Sequence, residues 1–287
     1  MSRVDVRKTH KLFIGGAFPR SESGRTYEVT DSKEQFLANM ALASRKDARD
    51  AVLAARSAVA KWSAATAYNR GQVLYRIAEV MEGRREQFIS EVSDSEGVSS
   101  RKAGAHVDAA IDRWVWYAGW ADKYAQVIGN TNPVAGPFFN FSVPEPTGVV
   151  AAVAPQDASI LGLVSVIAPI IVTGNAVIAM PSSSRPIPAI TLAECLTTSD
   201  VPAGVVNILT GAPAEVMPWL AEHADVNALD LTGIVDEGVA TDLERSAAGT
   251  VKRVRGAAPH ADWQATPSLS RMRAFVEVKT VWHPMGV

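Results

Sequence analysis

The chain is poor in the residues that build metal cages and covalent staples. Its 287 residues include one cysteine, Cys195, which excludes an intrachain disulfide framework and a thiolate-caged zinc site. Five histidines, His10, His106, His223, His260 and His283, lie far apart with no paired spacing, so no metal site is expected. Charge of one sign is also missing. Lys plus Arg total 28 against 30 Asp plus Glu, a formal net charge of −2, which speaks against a nucleic-acid binder that relies on a positive field. No apolar run reaches membrane-spanning length. The longest, Ala158 to Val172, suits a buried helix, and Gly162, Pro169 and the adjacent Asp157 weaken a membrane reading further. The start, MSRVDVRKTHKLFIGG, has no apolar stretch of the secretory type, so a cytoplasmic location is expected. What is present is a globular composition, 47% hydrophobic and 20% charged.

Periodicity divides the chain into two styles. Lys11 to Pro19 reads as a short strand punctuated by glycines. Ser44-x-x-Asp47 then has the form of a capping box, and Ala48, Val52, Ala55, Val59 and Trp62 fall on one helical face. A second helix turns Leu74, Ile77, Ala78 and Met81 inward. Helical pattern returns through Phe88 to Val92 and from Lys102 to Tyr124, where Trp114, Trp116, Tyr117 and Trp120 read as interhelical packing. From Val149 onward, apolar strands at Val149–Ala154, Ala176–Ala179, Val205–Leu209 and Val226–Leu231 alternate with helices at Ala158–Val172, Pro188–Thr198, Ala214–His223 and Gly238–Ala248. That alternation predicts right-handed βαβ units, hence an α/β fold with a parallel sheet covered on both faces and a nucleotide-type crevice at the strands' carboxyl ends. Two segments stand apart as half-buried antiparallel strands: Phe138 to Val143, with Phe139, Phe141 and Val143 on one side, and a last strand with Val276, Val278, Thr280 and Trp282 on one side.

KLFIGGAFPRSESGRTYEV, and DARDAVLAARSAVAKW with RGQVLYRIAEVMEGRREQF, are similar to the amino-terminal strand pair and the first long helices of the aldehyde dehydrogenase superfamily, a resemblance that runs over most of the chain. VPEPTGVVAAVAPQD stands at the Glu-Pro-x-Gly-Val strand and the Pro-Trp-Asn turn, and GNAVIAMPSSSRP at the Gly-Asn-x-Val-x-x-Lys-Pro segment. VPAGVVNILTG and LDLTGIVDEG match the Pro-x-Gly-Val-x-Asn and Phe-Thr-Gly-Ser segments in order and spacing. The resemblance implies a Rossmann-like domain plus a small antiparallel oligomerisation arm. In those terms, residues 1–132 hold the strand pair and helices and 133–146 the arm's excursion. Residues 147–256 form the Rossmann-like part, 257–270 a connector where the catalytic domain would stand, and 271–287 the arm's last strand.

The resemblance also implies a reaction in which a cysteine thiolate attacks an aldehyde, a glutamate acts as base and an asparagine amide steadies the oxyanion. Here VKRVRG runs directly into APHADWQATPSLS, without the family's Glu-Leu-Gly-Gly stretch, and Asp157 holds the asparagine's position, where an ionised carboxylate cannot donate. Cys195, on an amphipathic helix, reads as a structural thiol. The cofactor positions that the resemblance assigns are Val153, Ala154, Pro155, Met180, Ser183, Gly211, Thr232, Gly233 and Ile234. Met180 and Ser183 stand where a lysine and a glutamate grip the adenosine ribose, and Ile234 replaces the pyrophosphate serine. The backbone N–H groups after Thr232 and Gly233 are expected to stay open to an anion, opposed by Asp236 and Glu237. The expectation is therefore no cofactor, or NAD held by a weakened site.

The arm, by contrast, is expected intact, with Phe139, Phe141, Val143, Val276, Val278, Thr280 and Trp282 at an interface. Three functions remain open. The first is a non-catalytic subunit that joins a full-length aldehyde dehydrogenase, or a second copy of itself, in an oligomer. The second is an NAD(H)-binding regulatory module. The third is a residual oxidoreductase using Asp157, Ser159 or His260.

Overall fold

The computed structural model describes residues 7–259 and 261–286; His260 and the first six residues lie outside them. Three strands come first, β1 (Thr9–His10), β2 (Thr26–Thr30) and β3 (Phe36–Ala41), in the order β1-β3-β2. The strand expected at Lys11 to Pro19 is not one. Gly15 and Gly16 take φ of 60° and 78°, which turns the chain back on itself at an Ile14–Ala17 bridge. Phe13 instead exchanges two backbone hydrogen bonds with Ile208, at 3.0 and 2.7 Å, and so covers the edge of the main sheet.

Five helices follow: α1 (Arg45–Ala64), α2 (Ala67–Gly83), α3 (Arg85–Glu96), α4 (Ser100–Trp120) and α5 (Tyr124–Ile128). The capping box of α1 is formed as its spacing predicts, with the Ser44 N–H donating to Asp47 Oδ2 at 2.7 Å. Asp47 also accepts from Ser21 Oγ and the Glu22 N–H, which ties the N-terminal segment to α1. In α4, Trp114 and Tyr117 are buried and Trp116 packs edge-on against Tyr117.

The parallel layer comprises β6 (Val149–Val153), α6 (Ile160–Val172), β7 (Ala176–Met180), α7 (Ile187–Thr197), β8 (Val206–Ile208), α8 (Pro213–Glu222), β9 (Ala228–Asp230), α9 (Glu237–Ala248) and β10 (Arg253–Arg255), preceded in the chain by β4 (Asn130–Asn132) and β5 (Phe138–Pro146). The strand order is β10-β9-β6-β7-β8, and every pair is parallel. Alternation within β6 divides the core. Val150 and Ala152 pack with α2, α4 and α6, while Val149, Ala151 and Val153 pack with α1, α8 and α9.

After β10 the connector is folded rather than loose. Trp263 and Met272, the latter on the short α10 (Ser270–Arg273), join Phe275 in the α4–α6 side of the core. The final strand, β11 (Val276–Pro284), pairs antiparallel with β5 of the same chain, and β4 adds to the other side of β5. Two expectations about this sheet change. Val276 is a core residue, buried beside Phe275, and offers nothing to an interface. Moreover, Phe139, Phe141 and Val143 register against His283, Val281 and Lys279, whereas Thr280 and Trp282 register against Ser142 and Asn140. Residues paired across an antiparallel ladder share a face, so the two apolar sides lie on opposite faces and form no single strip.

Candidate functional site

At the carboxyl ends of β6, β7 and β9 the structure gathers most of the cofactor-type positions. Val153, Met180 and Ile234 are buried in one apolar cluster with Leu209 and Leu231. Ala154 is buried, and Gly162 at the start of α6 sits against Pro155, 2.9 Å from where its Cβ would be. Ser183 is half-buried at a cavity it shares with Glu96 and Arg185, and its donors are used within the chain. Its N–H and Oγ donate to Gln156 Oε1 at 3.0 and 3.1 Å, and Gln156 Nε2 returns to Ala154 O at 2.8 Å. Gly211, at φ +131°, packs against Leu42.

The turn after β9 corrects an expectation. Its N–H groups are not left for an anion. Thr232 N–H donates to Asp230 Oδ1 at 3.0 Å, Gly233 N–H to Val153 O at 2.9 Å and Ile234 N–H to Leu231 O at 2.9 Å. Gly233 is pressed so closely on β6 that a Cβ there would lie 1.9 Å from Ala154 O. The first turn of α9 is occupied too, since Asp236 caps it by accepting from the Val239 N–H at 3.0 Å. Arg271, from α10, then seals this end by donating to Asp230 Oδ2 at 3.0 Å and to Thr232 Oγ1 at 3.1 Å. Sequence could not show this contact, which joins residues about forty positions apart across the connector.

The catalytic-type positions are scattered. Asp157 is exposed, and its backbone carbonyl accepts from Arg185 Nη1 at 2.6 Å. Ser159 is buried two residues on, where its N–H and Oγ donate to Glu96 Oε1 at 2.8 and 2.6 Å. The other oxygen of Glu96 faces His106 Nδ1 at 2.9 Å. The carboxylate thus stands between serine and imidazole. This order leaves His106 no direct route to the serine proton, and the carboxylate instead holds Ser159 at the start of the largely apolar helix α6. Glu96 and His106 carry no sequence signal for this role, because Glu96 lies 63 residues before Ser159. Cys195 is fully buried, and burial pushes its thiol up to about 11, with Arg84 opposing. Among the described residues no group of three His, Cys, Asp or Glu is placed to hold a metal, and no helix is long and apolar enough to cross a membrane.

A five-stranded parallel sheet with this crevice geometry defines a Rossmann-type α/β protein. The aldehyde dehydrogenase family profile matches residues 18–256, and the chain belongs to that family. It is 32% identical over 246 residues to the cytosolic 10-formyltetrahydrofolate dehydrogenase of Homo sapiens, covering 83% of this chain and 27% of that protein. To the putative aldehyde dehydrogenase DhaS of Bacillus subtilis (strain 168) it is 30% identical, covering 87% of this chain and 50% of that protein. Among solved structures, the NAD+ complex of an aldehyde dehydrogenase from Bacillus cereus superposes with a TM-score of 0.81 at 27% identity, over 86% of this chain and 50% of that one. Betaine aldehyde dehydrogenase from Staphylococcus aureus in complex with NAD+ superposes with a TM-score of 0.80 at 26% identity, over 85% and 48%. The chain thus spans from about a quarter to about a half of the length of these relatives.

Proposed function

We propose that this chain is a non-catalytic aldehyde dehydrogenase-type subunit. It assembles through the β4–β5–β11 sheet with a full-length aldehyde dehydrogenase, as a structural or regulatory partner, and does not hold NAD in the manner of its relatives. The observation that carries the reading is the interval between β10 and β11. Only residues 256–275 lie there, folded onto α4 and α6, and they contain neither a cysteine nor a glutamate. The buried thiol of Cys195 and the exposed carboxylate of Asp157 support it. So does the turn at Thr232–Ile234, where all three N–H groups already have acceptors within the chain. The residues present do not fit the dinucleotide. The exposed aromatic groups of the three-stranded sheet support the assembly part, since such surface asks for a cover. The cytosolic enzymes among the relatives support a cytosolic place of action.

Purification from the native host at native expression, followed by mass analysis of the complex, tests the assembly. Co-purification with a longer aldehyde dehydrogenase is the expected result, and a companion-free species would overturn it. The NAD+ complexes among the similar structures favour a second reading, a nucleotide-binding regulatory module. Calorimetry with NAD and NADP separates the two. No heat at millimolar ligand supports the first reading, and saturable micromolar binding supports the second. NAD-dependent turnover of an aldehyde by this chain alone would remove both in favour of an oxidoreductase.

A further inference from the structure

Where the connector meets the sheet, cations outnumber their partners. Arg113 and Tyr117 stand one turn apart on α4, Arg255 ends β10, and Arg271 reaches in from α10. β10 pairs with β9 in a register that sets Arg255 beside Asp230, so both side chains leave the sheet on the same face. Arg113 is 7% exposed and Arg271 8%, while Arg255 is half-buried. All three act on Tyr117 through their charge. Burial pushes that phenol up to about 12, and Arg271, Arg113 and Arg255 each oppose the rise.

Their counter-charge is short. Arg271 takes the buried carboxylate of Asp230 and lies over the Trp263 ring at 5.0 Å. Arg113 donates to Ser165 Oγ and to the carbonyls of Trp263 and Ala265, none of them charged. Asp262, the other acid near Arg113, is exposed on the connector. Guanidinium groups do not shed their protons at any ordinary pH, so burial without counter-charge is costly and is met by a bound anion or by solvent. The unpaired atoms favour the anion. Arg113 Nε, Arg255 Nε and Trp263 Nε1 are buried with no acceptor among the described residues, and all three are donors. Buried donors left without acceptors call for a ligand made of acceptors. The approach runs past half-buried Arg255, where Gly256, Ala257 and Ala261 are exposed.

We propose that Arg113, Arg255 and Arg271, with Trp263 and Tyr117, form a binding site for a small oxyanion of the phosphate class. The site belongs to the connector as much as to the sheet and does not depend on the assembly proposed above. Titrating the full chain with inorganic phosphate, at ionic strength held constant with chloride, tests it by thermal shift and by 31P line broadening. A saturable response is expected, reduced at least tenfold in apparent affinity by Arg255→Gln, which leaves the Arg271–Asp230 pair in place. A parallel titration with glycerol 2-phosphate identifies the source. An equal response assigns the site to the terminal group of a phosphate monoester, and a response to inorganic phosphate alone assigns it to the free ion. A linear, unsaturable response, or a saturable one unchanged in Arg255→Gln, would overturn the proposal.

Discussion

At the carboxyl end of the parallel sheet, several groups at the cofactor-type positions are bonded within the chain. Three successive N–H groups have internal acceptors, Ser183 is held by Gln156, and Met180 and Ile234 lie in core. The β4–β5–β11 sheet is the reverse. Its strands are paired along β5, yet Trp282 is 58%, Val278 53% and Phe139 46% exposed, and the two faces carry aromatic pairs of their own, Phe138–Trp282 and Phe139–Phe141. Saturated polar groups with buried apolar ones mark a region that is finished. Paired backbone under exposed aromatics marks one that waits for a cover. Hydrogen-bond accounting and burial thus separate the two ends of the molecule more sharply than family likeness does.

The largest effect should come from breaking the closed end. Asp230→Ala strands Arg271 in a buried place without its carboxylate, and stability should fall by about 3–5 kcal/mol, read by denaturant unfolding. A neutral or stabilising result would mean that this end is not closed by the ion pair. Next comes acid. Burial, helped by Lys8 and opposed by Glu194, lowers the His10 imidazole from 6.5 to about 4. The unfolded chain therefore takes up a proton that the folded one refuses between those values. Stability should hold above pH 6.5 and fall by up to about 3 kcal/mol as the pH drops through 4, and His10→Gln should flatten that slope.

A smaller loss, about 1–3 kcal/mol, is expected for Glu96→Ala, which leaves the start of α6 and Ser159 without their acceptor; unfolding in denaturant measures it. The smallest change in stability, within about 0.5 kcal/mol, is expected for Trp282→Ser on the open sheet. That variant should nonetheless lose the companion on co-purification. If it lost stability and kept the companion, the contrast between the two ends would be reversed.

The α/β order was legible because each local signal agreed with its neighbours. The capping box at Ser44–Asp47, the fully apolar strand at Val149–Val153 and the alternation in β11 each show in a short window. At Lys11–Pro19 the apolar pattern suggested a strand, but the two glycines turned the chain and its backbone paired with Ile208 instead. The site was legible as positions and not as a state. Sequence marks Thr232 and Gly233 as a turn at the end of a strand, but it does not say whether their N–H groups are free. Their acceptors on Asp230 and β6 become neighbours only when the sheet assembles.

Sequence by itself determined the family and the parallel layer, because residue identity and periodicity are local properties of the chain. Tertiary structure alone decided that Trp263 of the connector joins the core, that Arg271 binds at the β9 turn and that the aromatic sides of β5 and β11 face opposite ways. Those outcomes depend on which distant groups meet, and register and burial are set by the whole fold.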